Sequence, residues 1–182
     1  MIPSWQKFID GDIESFQKIY TTYVDDLFDY GMNICGDKEL VLDCIHDLFV
    51  RLFDNKRIAK KVNIKFYLFA SLRRDILRSK SKAGRFIYEE TLEEWELANS
   101  YELNLFSEGG VELDIQRLRE KIEKLPKRQK EVLYLKYYVG LSYEEIAEAM
   151  KVDIASCRTL SFRAIRQLKL EFSTLKSFLI LV

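Results

Sequence analysis

Apolar side chains recur every three or four residues along most of this chain, which is the spacing of one face of an α-helix. Only two prolines and seven glycines interrupt its 182 residues. The alternation of apolar and polar positions that is typical of β-strands has little support. The pattern therefore predicts an all-α fold.

Two helices are predicted in the first third of the chain. Asp12 is the expected N-cap of the first helix, which ends near Gly36. Its predicted buried stripe contains Ile13, Phe16, Tyr20, Tyr23, Leu27 and Phe28. The second helix begins after Asp37, and its predicted buried stripe contains Val41, Ile45, Leu48, Phe49 and Leu52. The opposite face carries what we term the acidic strip: Asp43, His46, Asp47 and Arg51.

A third helix is predicted to follow a basic connection that runs from Lys56 to Lys65. Its cations are interleaved with apolar residues, namely Phe66, Tyr67, Leu68, Phe69, Leu72, Ile76 and Leu77. Among these we expect Phe69 and Leu72 to belong to the core. We therefore assign nucleic-acid contact chiefly to the basic residues: Lys60, Lys61, Lys65, Arg73, Arg74, Arg78 and Lys80.

The charges are segregated along the chain. The totals of 29 basic and 29 acidic residues give a net charge of zero, which taken alone argues against a nucleic-acid partner. However, residues 1–50 hold 3 basic and 10 acidic residues, and residues 51–85 hold 12 basic and 2 acidic residues. Residues 86–114 hold no basic and 9 acidic residues, and residues 115–182 hold 14 basic and 8 acidic residues. A basic segment with aromatic side chains suits nucleic acid, since cations neutralise phosphates and rings stack on unpaired bases.

These segments predict two small helical domains, residues 1–85 and 115–175. A flexible acidic linker over residues 86–114 is expected to join them, because this stretch shows only weak periodicity and contains Gly109-Gly110. Residues 176–182 form an apolar tail. The tail is far shorter than the roughly 20 residues of a membrane-spanning helix, so no membrane insertion is expected.

The second domain is predicted to open with a helix through Ile115, Leu118 and Ile122. Pro126 then occupies a first-turn position of a helix that ends at Gly140.

The residues from Ser142 onward predict a helix-turn-helix. Ser142 and Glu145 have the spacing of a capping box, and Asp153 is the expected cap of the helix after the turn. Ala147 supplies the small residue needed where the two helices cross. The positions expected to be buried are Ile146, Met150, Val152, Cys157 and Leu160. Those expected to face outward or along the flank are Ala155, Ser156, Arg158, Thr159, Phe162, Arg163 and Arg166.

The turn of this motif has an unusual residue. Lys151 stands where glycine is common, so a positive φ there would be mildly strained, or a different turn would replace the usual one. Because arginine and threonine contact base edges and phosphates, the outward face favours DNA binding. The alternative interpretation is a plain helical hairpin with a solvated basic face.

Nothing in the sequence points to catalysis. His46 is the only histidine, and no paired carboxylates or metal ligands occur at workable spacing, so neither an enzyme nor a cofactor is expected. A metal site at Cys44 and His46 would lack partner ligands. The three cysteines are irregularly spaced and no signal-peptide pattern opens the chain, so we expect reduced thiols and a cytoplasmic location.

Three segments of this chain resemble an extracytoplasmic-function sigma factor of bacterial RNA polymerase. The stretch LPKRQKEVLYLKYYVGLSYEEIAEAMKVDIASCRTLSFRAIRQLK is similar to region 4 of that family. FQKIYTTYVDDLFDYGMNICGDKELVLDCIHDLFVRLF is similar to regions 2.1 and 2.2, and IKFYLFASLRRDILRSK to regions 2.3 and 2.4. Together these segments contain 100 of the 182 residues, in the family's order.

The resemblance implies partners for each predicted surface. The acidic strip would bind the clamp helices of the polymerase β′ subunit, with His46 in place of the usual glutamine, and the β flap would be a further contact. The basic helix would open and hold the promoter −10 element, with Arg74 where the family usually has asparagine. Region 4 would bind the −35 element, the linker would lie in the RNA path, and an anti-sigma factor would hold the protein inactive.

Two alternatives stay open on the sequence alone. The chain could be a helix-turn-helix regulator that acts without polymerase, although a sensor domain has no need for twelve cations among aromatics in residues 51–85. The acidic linker could be a solvated spacer and nothing more.

Overall fold

The computed structural model describes residues 3–54, 63–82 and 118–171, and every regular element within these ranges is helical. The all-α prediction is thereby confirmed. The chain divides into two compact units, Met1–Ser100 and Tyr101–Val182. The predicted linker, the apolar tail, Lys60 and Lys61 lie outside the described residues.

The described residues of the first unit form four helices. They are α1 (Pro3–Ile9), α2 (Ile13–Cys35), α3 (Lys38–Asp54) and α4 (Ile64–Lys82). The ends of α2 are those predicted from the sequence. The carboxylate of Asp12 accepts a hydrogen bond from the Ser15 amide at 3.1 Å, and Gly36 closes the helix with a φ of 66°.

The buried stripe of α2 differs from the predicted one. Tyr23 and Leu27 are buried as expected, but Ile13 and Tyr20 are 68% and 41% exposed. Phe16 and Phe28 are only half-buried. The stripe is rotated because other residues face the core instead: Ser15, Ile19, Asp29, Tyr30, Gly31 and Asn33.

Helix α3 buries the predicted stripe in full, and α4 packs on both α2 and α3. The core contributions of α4 include Leu68, Phe69, Leu72 and Ile76, all at most 1% exposed. Gly31 permits the close approach of α2 and α3, since a Cβ there would lie 2.6 Å from Val41 Cγ1. These three helices therefore form the framework that presents the acidic strip.

Helix α1 was not predicted. It buries Trp5 to 1% exposure and places the Phe8 ring 5.3 Å from that of Phe16. Its seven residues are too few for a helical period to stand out in the sequence.

The described part of the second unit begins with a helical segment, α5 (residues 118–123), followed by α6 (Lys127–Leu133) and a π-helical turn (Tyr134–Val139). Pro126 is the N-cap of α6, one position earlier than predicted. The helix ends at Gly140 as expected, with a φ of 82°, but its final turn is widened.

Two further helices follow in the described part of this unit, α7 (Tyr143–Met150) and α8 (Ile154–Glu171). The far end of α8 packs through Ala164 and Leu168 against Leu125 and the residues near it. The packing of its C-terminal half against α5 and α6 therefore fixes the orientation of α8 in this unit.

Candidate functional site

The acidic strip lies on the solvent-exposed face of α3. Asp43, His46, Asp47 and Arg51 are all exposed, as the helical spacing predicted. Arg51 differs from the other three because its guanidinium forms an ion pair with Asp75 of α4. Asp43, His46 and Asp47 are thus the better placed residues for contact with another protein.

An apolar groove between α2 and α3 borders the acidic strip, and sequence reasoning missed it. Its volume is about 490 Å³. Tyr20, Leu42, Val50 and Phe53 are 41–50% exposed along it, and His46 belongs to both the groove and the strip. Its lining residues are Phe16, Tyr20, Val24, Leu42, Ile45, His46, Phe49, Val50, Phe53 and Asp54.

A sequence signal for this groove existed. Leu42 and Val50 are apolar positions of α3 that fall outside its buried stripe. Contiguous exposed apolar surface beside a polar rim is typical of protein–protein interfaces. The groove and the acidic strip together form a candidate docking surface.

Helix α4 separates its apolar and basic residues. Phe69 is buried, which confirms its predicted core role, and Phe66 and Tyr67 are half-buried. Arg74 and Arg78 are exposed. Lys65, Arg73 and Lys80 are half-buried.

Arg74 and Lys80 both make contacts within the unit. Arg74 Nη2 lies 3.3 Å from Ser71 Oγ, and its Nε lies 3.9 Å from Asp75 Oδ1. Lys80 Nζ donates to the carbonyl oxygen of Cys35 at 3.4 Å. The long side chain of Arg78 on the exposed face leaves its charge available to a polyanion.

The helix-turn-helix forms as predicted. Ser142 Oγ accepts from the Glu145 amide at 3.1 Å, and Glu145 Oε2 accepts from the Ser142 amide at 2.8 Å, so both halves of the capping box are present. Lys151 has a φ of 54°, so the turn adopts the mildly strained left-handed conformation and is not replaced by a different turn. Asp153 caps α8 by accepting from the Ser156 amide at 2.7 Å.

The buried positions of the motif follow the prediction closely. Ile146, Ala147, Met150 and Cys157 are at most 3% exposed. Val152 and Leu160 are half-buried rather than buried. The residues predicted to face outward are all exposed: Ala155, Ser156, Arg158, Thr159, Phe162, Arg163 and Arg166.

This exposed set forms one continuous face of α8, which we term the recognition face. Phe162 is 65% exposed there and presents a large apolar ring to solvent. Its three arginines add positive charge to the same face. Such a combination suits the major groove of duplex DNA, where cations contact phosphates or guanine and apolar groups contact thymine methyls.

The cysteines and the histidine do not converge on a metal site. Cys44 is buried and His46 is exposed, so the two side chains lie on different sides of α3. Burial raises the pKa of the Cys44 thiol, which keeps it protonated at neutral pH. Within the described ranges, no group of three or more potential ligands could hold a metal ion. None of the described helices is both long enough and apolar enough to cross a membrane.

Comparison with known proteins finds similarity to sigma factors in both units. Residues 115–168 match the family model described as sigma-70, region 4. The chain is 25% identical over 159 residues to the ECF RNA polymerase sigma factor SigM of Bacillus subtilis, covering 85% of this chain and 93% of that protein. It is also 25% identical to BldN of Streptomyces coelicolor, covering 87% of this chain and 60% of that protein.

The fold is similar to a solved sigma factor structure. RpoE of Bartonella quintana, crystallised with the anti-sigma factor NepR, matches with a TM-score of 0.59 and 19% identity, over 89% of this chain and 99% of that one. The region 4 match covers the helix-turn-helix, and the SigM match extends over most of the remaining chain. The chain is therefore similar to extracytoplasmic-function RNA polymerase sigma factors over most of its length, and its residues 115–168 match sigma-70, region 4.

Proposed function

We propose that this chain binds core RNA polymerase and directs it to promoter DNA, with separate surfaces for protein and for DNA. The observation that carries the proposal is the recognition face of α8, where all seven residues predicted to contact DNA are exposed. A helix that follows a capped helix and a tight turn is the geometry with which helix-turn-helix proteins enter the major groove. This face therefore binds the −35 element.

The docking surface on α2 and α3 binds the polymerase. Its apolar groove offers area that a partner helix can bury, and the carboxylates of Asp43 and Asp47 at its edge favour a partner with basic flanks. The β′ clamp helices are the proposed partner for this surface, and the β flap is a further contact on the polymerase.

The basic helix α4 acts on the −10 element. Its exposed cations, Arg74 and Arg78, neutralise phosphates of separated strands, and Lys65, Arg73 and Lys80 add positive charge on the same helix. Phe66 and Tyr67 are half-buried, so each ring keeps a surface on which a base can stack. Strand opening thus combines charge neutralisation with stacking.

An anti-sigma factor is the proposed regulator. The structural relative RpoE was solved with the anti-sigma factor NepR bound. In this chain, a regulator that covers the groove between α2 and α3 would bury exposed Leu42, Val50 and Phe53 and would exclude the polymerase.

A reconstituted transcription assay tests the proposal. The purified chain is added to core polymerase on a library of promoter fragments, and RNA start sites are mapped with and without the chain. We expect specific starts only when both are present. High-affinity promoter binding by the chain alone, with no gain from core polymerase, would instead support the regulator that acts without polymerase.

A further inference from the structure

Arg158 projects from the recognition face, yet two residues of α7 hold its guanidinium. Its Nη2 lies 3.4 Å from Glu144 Oε1, and its Cζ lies 5.8 Å from the centroid of the Tyr143 ring. The side chains of Arg158 and Glu144 are 61% and 58% exposed. The ion pair therefore lies at the surface that faces DNA, where an incoming base or phosphate can reach it.

The aromatic support beneath Arg158 is itself fixed. Tyr143 Oη lies 3.0 Å from Oγ of Ser161, a residue of α8 that is only 1% exposed. On the same ring, Lys136 Nζ lies 4.8 Å from the centroid. Cations within about 6 Å of an aromatic centroid are attracted to the ring. The guanidinium of Arg158 thus lies over the Tyr143 ring, and that ring is anchored by Ser161 to α8, the helix that carries Arg158.

Glu144 is held by the start of α7. It follows Ser142 and Tyr143 in the capped first turn, where the helix dipole favours a negative charge. A backbone hydrogen bond, together with contacts to Ser142 and Arg158, lowers the pKa of the Glu144 carboxyl. The carboxyl group is therefore ionised at neutral pH, and its negative charge attracts the positive charge of Arg158.

We propose that Glu144 is a specificity-determining positioning residue, which orients Arg158 toward a base and suppresses its attraction for phosphates in general. This inference rests on the proposed function. An unrestrained arginine loses rotamer freedom when it binds one base, and it is attracted equally to any phosphate. Pairing with a fixed carboxylate reduces both the loss of rotamer freedom and the attraction to phosphates, so the difference in affinity between promoter and random sequence increases.

The substitution Glu144→Gln isolates this role because it keeps the side-chain shape and leaves the Ser142–Glu145 capping box intact. We expect the salt slope of binding to random-sequence duplex to become steeper by about one, since Arg158 becomes free to neutralise a phosphate. We expect the ratio of promoter to random-sequence affinity to fall between about two- and tenfold, the range for ordering one long side chain.

The experiment uses holoenzyme assembled from the full chain and core polymerase, with four variants beside the wild type. They are Glu144→Gln, Arg158→Ala, the double variant and Glu148→Gln. Glu148 is exposed one turn further along α7, so its substitution is a control for the same loss of charge. Each holoenzyme selects from a library randomised at the upstream element, and binding to selected and random duplexes is measured over a series of salt concentrations.

The double variant distinguishes positioning from direct contact. We expect Glu144→Gln to change neither base preference nor salt slope in the Arg158→Ala background. The inference is overturned if Glu144→Gln behaves like Glu148→Gln, or if its effect persists without Arg158. If wild-type holoenzyme itself shows no upstream preference, the proposed function fails rather than the role of Glu144 alone.

Discussion

Arg51 in α3 forms an ion pair with Asp75 in α4, so one member of the acidic strip is tied to the basic helix. Asp75 also lies 3.9 Å from Arg74, which places one carboxylate between a proposed docking residue and a residue proposed to contact DNA. The Arg51 side chain is 50% exposed and that of Asp75 is 18% exposed. Solvent therefore screens the pair considerably, and its contribution to stability is modest.

A double-mutant cycle measures this ion pair. We expect Arg51→Ala and Asp75→Asn to show a coupling of about 0.2–1 kcal/mol in the free energy of unfolding by urea, the usual range for exposed pairs. Because Arg51 already has a partner, Arg51→Ala should weaken binding to core polymerase less than loss of Asp47. A larger effect at Arg51 than at Asp47 would show that docking breaks the pair.

Reversing the charge of Asp47 tests the docking surface directly. Asp47 is exposed, so Asp47→Lys should leave the free energy of unfolding within about 0.5 kcal/mol of wild type. It should nevertheless abolish co-purification with core polymerase, because it places a cation where we propose that a basic partner surface binds. Asp25→Lys is the matched control, since Asp25 is an exposed carboxylate of α2 outside the groove. Equal core binding by both variants would remove Asp47 from the interface.

The elements best predicted from sequence were those with strong local signals. Helix α3 shows a complete apolar stripe, and the helix-turn-helix is marked by the capping box at Ser142 and by the cap at Asp153. These signals arise within a few residues of one another, so they do not depend on the rest of the fold. The exposed recognition face followed from the same helical spacing.

The features missed were those set by tertiary contacts. Tyr20 was expected in the core of α2, but the packing of Ile19 and Tyr30 rotates the stripe and leaves Tyr20 along the groove. Arg51 and Asp75 are 24 residues apart, so no local sequence pattern predicts their ion pair. The π-helical turn before Gly140 likewise has no residue signature of its own in this sequence.

The cap of the recognition helix predicts a specific dependence of stability on pH. Hydrogen bonds from the Ser156 side chain and amide lower the pKa of Asp153 below its ordinary value of 3.8. A carboxyl whose pKa is lowered by folding stabilises the fold above its unfolded pKa, and that contribution is lost as the pH falls through the folded pKa.

The variant Asp153→Asn isolates this contribution because asparagine keeps a capping oxygen but carries no charge. We expect wild type to be the more stable protein at neutral pH, and the difference to shrink as the pH falls below about 3.8. Urea unfolding of both proteins between neutral and acid pH measures it. A difference that stays constant over this range would show that the charge of Asp153 does not contribute.

Arg78 and Arg158 are expected to make different kinds of contact with DNA. Arg78 lies exposed on α4 among cations that we propose contact phosphates, whereas Arg158 lies on the recognition face, where we propose a bidentate contact with guanine. Arg78→Ala in holoenzyme should therefore weaken promoter binding across all sequences and reduce the salt slope by about one, with the upstream base preference unchanged. Lys18→Ala is the matched control, because Lys18 is an exposed cation of α2 outside the basic segment, and it should leave the slope unchanged. Titration of a promoter library at several salt concentrations measures both quantities. Loss of a single base preference in Arg78→Ala, with an unaltered salt slope, would contradict the assignment of α4 to phosphate contact and would make Arg78 a base-specific residue.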